Sequence, residues 1–444
     1  MKKIVILFFF LSQSIFAGSG KVVTPSKKVL DYQKAEMNGF IHLSLNQYSG
    51  RLIGKGDEDP SIFNPIHLDT DQWASVFSRA GMKTMILTTK HHDGFSLWNT
   101  KYSDHQVMSS PFKKDIVKMA AESAKKYKMK FGVYYSMYDA YHPDFGTEKY
   151  NKFVDNQLRE LLTNYGEITQ VWLDGHIPKD IRKSMGKDFK FPLKRWVDLI
   201  KKFQPNAIHP NDTMLLGHEN GIVPNNIFYN QGGRWRAAEA VTTTRYFMGK
   251  YAAFWFPMKG LSLPFLRSKR RMRNLYYTSV GRGAVLLLNI SPNRKGLFPE
   301  LDSDRVLYLG DYIRKTFKTN LAKTADVSGS YTGEHIPRNV LDGNDTTYWV
   351  PQEKKGTLTF SFPKKVTFDI VMLKEEIQKG QKIKSYKIEY HNGRKWKTLS
   401  KGTAIGVKKL YRKPFGKVRT KKIRLHLEGD LPPSLSHFGL YLEK

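Results

Sequence analysis

From residue 40 to about residue 317, short apolar runs alternate with segments of helical periodicity. This alternation limits the fold more than any other feature of the chain. The runs fall at 40–45, 84–91, 131–136, 170–175, 207–210, 226–229, 252–256 and 285–290. Between them, 71–81, 115–128, 150–165, 196–203 and 271–280 carry apolar side chains at helical spacing. Strands separated by helices run parallel, because each helix returns the chain across the sheet before the next strand begins. Eight such units over roughly 280 residues match a (β/α)8 barrel in size. The fifth, sixth and seventh units are the least regular, so any distortion of the barrel is expected there.

After about residue 320 helical periodicity disappears. Short alternating runs at 357–362, 368–373, 383–390, 395–399 and 422–427 replace it, with turn signals such as Asp342-Gly343-Asn344-Asp345 and Asn392-Gly393 between them. Such spacing predicts a small antiparallel β-sandwich. The expected organisation is a leader at 1–17, a barrel at 18–320 and a sandwich at 321–444. Lys2 and Lys3, the apolar run 4–11, and Ala17 before Gly18 and Ser19 read as a signal peptide, with a retained membrane anchor as the competing reading. The chain has no cysteine, hence no disulfide and no lipid attached at one. Export to a periplasm or the medium is expected, without stable membrane insertion after cleavage.

The formal net charge is +33. Such a field favours anionic partners. The cations are spread along the chain, and no nucleic-acid motif is present, so a sulfated or carboxylated glycan is the functional reading and a basic, soluble surface the bland one. Oligomeric state is not legible.

In barrels of this kind the working groups sit at the carboxyl ends of the strands. There the sequence places His42, Lys90-His91-His92-Asp93-Gly94-Phe95, Tyr134 with Tyr135, Trp172-Leu173-Asp174-Gly175, and Glu219 in a glycine-bounded loop. Asp174 ends an apolar run and shares a strand face with Trp172; it reads either as a reacting carboxylate or as a helix cap. Glu219 is a second carboxylate, or an ordinary solvated loop residue. A pair of carboxylates is what glycoside hydrolysis requires. His91 and His92 are adjacent and face opposite ways on a strand, so hydrogen bonding to hydroxyls is favoured over chelation, and no metal or organic cofactor is expected.

These residues resemble glycoside hydrolase family 29, the α-L-fucosidases, and in particular the α-1,3/1,4-fucosidase subfamily. The resemblance spans nearly all of the chain after the leader. It rests on Phe40-Ile41-His42, Phe63-Asn64-Pro65, Leu87-Thr88-Thr89-Lys90-His91-His92-Asp93-Gly94-Phe95 with Trp98, Trp172-Leu173-Asp174-Gly175, and Leu286-Leu287-Leu288-Asn289-Ile290. The tail, with Asp342-Gly343, Tyr348-Trp349 and Trp396, is similar to the carbohydrate-binding sandwiches that follow many such barrels.

The resemblance implies a retaining hydrolase of terminal α-L-fucosides. Asp174 would be the nucleophile and Glu219 the acid/base, with His218 where Asn is usual. His42, His91, His92 and Tyr134 would hold the sugar hydroxyls. Trp98, Trp235, Glu239 and Trp255 would lie by the sugar. One stretch departs: where the subfamily has Glu-Trp-Gly, this chain has Leu52-Ile53-Gly54. That change raises a substituted, sulfated or L-galactose-like sugar, or a glycan-binding protein without catalysis, as alternatives.

Overall fold

A computed structural model describes residues 22–51, 54–186, 188–246, 254–257, 265–412 and 416–443. The leader-like residues 1–17, and Leu52 and Ile53 at the departing stretch, lie outside them.

Among the described residues seven parallel strands form one curled sheet: β1 (Met37–Ile41), β2 (Thr84–Lys90), β3 (Lys130–Ser136), β4 (Gln170–Asp174), β5 (Thr213–Leu215), β6 (Ala237–Thr243) and β7 (Val285–Asn289). Their order is β4-β3-β2-β1-β7-β6-β5. One stretch joins the two edges. Ile208 bridges Gln170 at the start of β4, and β5, a few residues later, ladders with Ala237 to Glu239 of β6. The class is therefore the TIM-like α/β barrel with an antiparallel β domain behind it.

The intervening helices begin where the sequence supplies a cap. Asp69, Asp115, Thr147 and Ser268 accept the backbone N–H of Gln72, Lys118, Tyr150 and Arg271 at 2.9, 2.8, 3.3 and 3.3 Å, satisfying donors the helix cannot.

The irregular units are where the strand assignment changes. Residues 226–229 form no strand, nor do Phe254 to Phe256, and Ala252 and Ala253 fall outside the described residues. The strand in that part of the barrel is β6, Ala-Ala-Glu-Ala-Val-Thr-Thr, buried at every position. Its alanines carry a helix former's propensity, and only the surrounding wall makes them a strand.

Inward-facing positions recur every second residue and stack in layers. Phe40, Ile86, Tyr134, Val241 and Leu287 make an apolar layer, with Trp172 and Trp255 against it. Two residues further along lie His42, Ser136, Asp174 and Asn289, at the carboxyl ends. Two residues earlier lie Asn38, Gln170 and Glu239, at the floor.

The antiparallel domain pairs two sheets. One runs Asp326–Ser328, Lys355–Phe368, Val418–Gly429, Ile383–His391, Trp396–Gly402; the other runs Lys409–Arg412, Ile370–Glu375, Leu435–Tyr441. It seats on the amino ends of the barrel strands, away from Asp174. Gln381 bonds the Tyr229 N–H and the Ile227 carbonyl at 3.2 and 2.9 Å, and the Tyr229 hydroxyl reaches the carbonyl of Gly283, just before β7. Ile370, Met372, Leu410 and Tyr441 belong to the barrel's apolar core rather than to the sandwich's own.

Lys408 pairs with Glu36, immediately before β1, and its Nζ lies 3.3 Å from the Tyr276 hydroxyl. Lys408→Met should lower unfolding free energy by about 2–3 kcal/mol, somewhat less than stranding a wholly buried charge, since Glu36 keeps some water. Chemical denaturation of the variant against wild type measures this. A difference below about 0.5 kcal/mol, the scale of an exposed pair, would show the contact to be ornamental.

Candidate active site

Asp174 closes β4 with its carboxylate at the barrel mouth. Its Oδ2 accepts the Tyr134 hydroxyl at 2.6 Å, and its Oδ1 accepts the backbone N–H of His176 at 2.8 Å. Both donors fix the carboxylate plane while leaving lone pairs free. Tyr134 is itself sandwiched. Its ring stacks on Trp172 at 5.4 Å on one side and on His91 at 5.6 Å on the other. Burial, together with the negative charge of Asp174, keeps the Tyr134 phenol far above its usual titration range, so it remains a donor.

His42, His91 and His92 line the same mouth. The Ser136 hydroxyl gives its only hydrogen to the Tyr138 carbonyl at 2.6 Å, so His92 Nδ1–H must donate to Ser136 at 2.7 Å. His92 Nε2 is then an acceptor, 3.8 Å from Asp174 Oδ2. His42 Nδ1 faces the Asn289 amide oxygen at 2.9 Å, which likewise leaves its Nε2 as an acceptor. Burial pushes His42 down to about 3 and His92 down to about 4, against the opposing pull of Asp174. Burial and the neighbouring imidazoles hold His91 well below its ordinary value. All three are neutral at pH 7 and suited to hydroxyls rather than to anions. Among the described residues no group of three or more His, Asp or Glu is placed to hold a metal ion.

Glu219 lies on the 217–221 loop after β5. Its φ is 49°, a left-handed conformation that costs a residue with a Cβ about 1 kcal/mol. A Cβ on the preceding Gly217 would sit 2.3 Å from the Ile222 carbonyl oxygen, so the loop is folded tightly on itself. Trp255 Nε1–H donates to Glu219 Oε2 at 3.0 Å. The Trp255 ring lies 4.6 Å from that of His42, so the chain of contacts runs from Glu219 back into the pocket. Although the residue as a whole is exposed, its carboxyl is crowded enough for desolvation to raise its pKa; the Trp255 N–H opposes this and the charge of Asp174 adds to it. The charge of Asp174 thus reaches Glu219 across the mouth.

Of the positions singled out in the sequence, Asp174, Tyr134, His42, His91, His92, Trp255 and Glu219 converge. Three do not. Trp98 is fully buried behind β2, with Nε1 on Glu160 at 2.9 Å. Trp235 stacks on Tyr229 at the amino end of β6, with Nε1 on Gln33. Glu239 is buried on the floor, a layer beneath Trp172, whose Nε1–H it accepts. Asn289, Ser136, His176 and Phe256 join the site without having been anticipated. Asn289 carried the same signal as Asp174, a polar residue closing an apolar run. Phe256 packs on His91 at 4.8 Å and on His42 at 5.5 Å.

A barrel mouth that gathers two carboxyls, neutral imidazoles and aromatic walls has the groups glycoside hydrolysis requires. Residues 47–317 match the alpha-L-fucosidase family model, and 324–439 match the F5/8 type C domain. The chain belongs to the alpha-L-fucosidase family, glycoside hydrolase family 29, and is an enzyme of that kind. Alpha-L-fucosidase 1 of Arabidopsis thaliana is 31% identical, over 100% of this chain and 94% of its own length. The crystal structure of SpGH29 superposes with TM-score 0.88 at 27% identity, covering 96% of this chain and 100% of the other. A Ruminococcus gnavus GH29 fucosidase in complex with fucose superposes with TM-score 0.84, also at 27% identity, covering 96% and 97%.

Proposed function

We propose that this α-L-fucosidase acts with net retention on terminal α-1,3- or α-1,4-linked L-fucosides, after export from the cell. The observation that supports the mechanism is a pair of carboxyls at one mouth: Asp174 held by two donors, and Glu219 held by the N–H of Trp255, whose ring packs on His42. An Asp174 oxygen forms a bond to the anomeric carbon as the bond from that carbon to the glycosidic oxygen breaks. Glu219 gives its proton to the departing oxygen. In the second half, Glu219 takes a proton from water, the water oxygen bonds to the anomeric carbon, and Asp174 leaves. Two inversions return the original configuration. The neutral Nε2 atoms of His42 and His92 accept hydroxyl hydrogens of the sugar, and Trp255 supplies an apolar face.

The linkage rests on resemblance to the α-1,3/1,4 subfamily. The +33 charge supports an anionic glycan as the polymer that carries the fucose. The leader pattern of residues 1–17 supports export.

The test offers defined α-1,2, α-1,3 and α-1,4 fucosylated oligosaccharides and follows the first-formed anomer by proton NMR. Early α-L-fucose from the α-1,3 and α-1,4 substrates is expected. Early β-L-fucose would overturn retention, and preferential release from the α-1,2 substrate would overturn the linkage.

A further inference from the structure

The barrel floor holds a carboxylate that the chemistry at the mouth does not use. Glu239, on β6, is 1% exposed. Burying an ionised carboxyl costs several kcal/mol unless its oxygens are satisfied, and barrels of this class ordinarily fill the interior with branched apolar chains at no such cost. Here three uncharged donors converge on it beside the Thr213 hydroxyl. Glu239 Oε1 accepts the Tyr32 hydroxyl at 2.5 Å and Gln170 Nε2 at 2.8 Å; Oε2 accepts Trp172 Nε1 at 3.1 Å. Tyr32 comes from the N-terminal helix Lys27–Lys34, which closes the floor from outside the barrel.

The third donor gives this arrangement a direction. Trp172 lies two residues before Asp174 on the same face of β4, its ring stacks on Tyr134 at an interplanar angle of 13°, and Tyr134 donates to Asp174. An indole has one N–H, which donates only. Its bond to Glu239 fixes the ring about the axis that would otherwise let it slide under the phenol. We infer that Glu239 is a positioning residue: from the floor it locks the indole of Trp172, and through that ring the Tyr134 hydroxyl that grips Asp174. The inference rests on Asp174 being the nucleophile.

Its chemistry makes a sharp variant available. Glu239→Gln keeps the shape but replaces one acceptor oxygen with an NH2 group. If the amide oxygen stays with Tyr32 and Gln170, the NH2 faces the Trp172 N–H, donor against donor. If the amide flips, the indole keeps an acceptor, but the Tyr32 hydroxyl loses its own and Gln170 must turn its unpartnered amide oxygen to meet the NH2. That second orientation needs two amides to turn together; the first breaks the link to the indole. Trp172→Phe removes the N–H directly while leaving an aromatic face for Tyr134.

The test measures kcat, KM and thermal midpoint for the full chain as wild type, Glu239→Gln, Trp172→Phe and the double variant. Each single variant should lose about tenfold or more in kcat with KM changed less than about threefold, since the loss is in the transition state. In the Trp172→Phe background, adding Glu239→Gln should cost less than about twofold in kcat, because the contact it breaks is already gone. A merely structural Glu239 would instead lower the thermal midpoint and multiply its kcat effect fully onto Trp172→Phe; that additivity would overturn the inference. Should Glu239→Gln fail to fold, Trp172→Phe decides alone: full kcat in that variant ends the proposal. Asp174→Asn run alongside separates the two layers. Its retention of turnover would remove the nucleophile assignment itself, whereas its inactivity beside an unaffected Glu239→Gln would remove only the positioning role.

Discussion

Asp174→Asn should reduce kcat on an aryl α-L-fucoside by about 10⁴-fold or more, in line with the removal of a covalent nucleophile elsewhere. The substitution is nearly isosteric. An Asn side chain can still accept the His176 N–H at its oxygen, and its NH2 can donate to the Tyr134 oxygen, so the pocket keeps its shape. What it lacks is the electron pair and charge needed to bond to the anomeric carbon. Asp174→Gly opens the space instead, and azide entering there should restore turnover by a single displacement, giving β-L-fucosyl azide from an α-fucoside. The product anomer, read by NMR, identifies the face of attack. Activity of Asp174→Asn within tenfold of wild type, or an α-azide, would place the nucleophile elsewhere.

Glu219→Gln should show the opposite dependence on substrate. A sugar leaving group needs a proton as its bond breaks, so hydrolysis of natural fucosides should fall by about 10³-fold. A dinitrophenyl fucoside leaves as a stabilised anion, and formation of its glycosyl-enzyme should fall far less. The pH profile carries the same assignment. Desolvation raises the pKa of Glu219, so its proton stays on to higher pH than for an ordinary Glu, and kcat/KM falls as pH rises through the raised value. Glu219→Gln should flatten that alkaline limb. Trp255→Phe deletes the N–H that favours the ionised carboxyl, which raises the pKa further and moves the limb to higher pH. A limb that moves down in Trp255→Phe, or persists in Glu219→Gln, would assign the acid to another group.

The parts of this molecule that were legible in the sequence are those in which local pattern and tertiary role agree. Capped helices such as the one opened by Asp115, apolar strands such as Val285–Asn289, and Asp174 closing an apolar run all belong here. The parts that were not legible depend on partners distant in the chain. The alanines of β6 become a strand because β7 and β5 flank them. Trp235 and Glu239 share a strand-entry segment with the site in sequence, yet their side chains face Gln33 and Tyr32 near the N-terminus. Trp98 belongs to the most recognisable motif in the chain, but its partner, Glu160, sits on the outer helix Glu148–Asn164. A motif marks a neighbourhood; the direction of each side chain within it is decided by what packs behind.

The seat of the sandwich on the barrel has a consequence for how this protein comes apart. Tyr441 packs on Phe317 at 5.0 Å, and with its cross-strand partner Ile370 it lies in the barrel's core. A calorimeter should therefore record one endotherm rather than two, and protease nicks near residue 320 should leave the halves associated. Such a domain behaves less like a detachable module than like the last turn of a lock, and the barrel's foundation is complete only once residues 370 to 441 are in place.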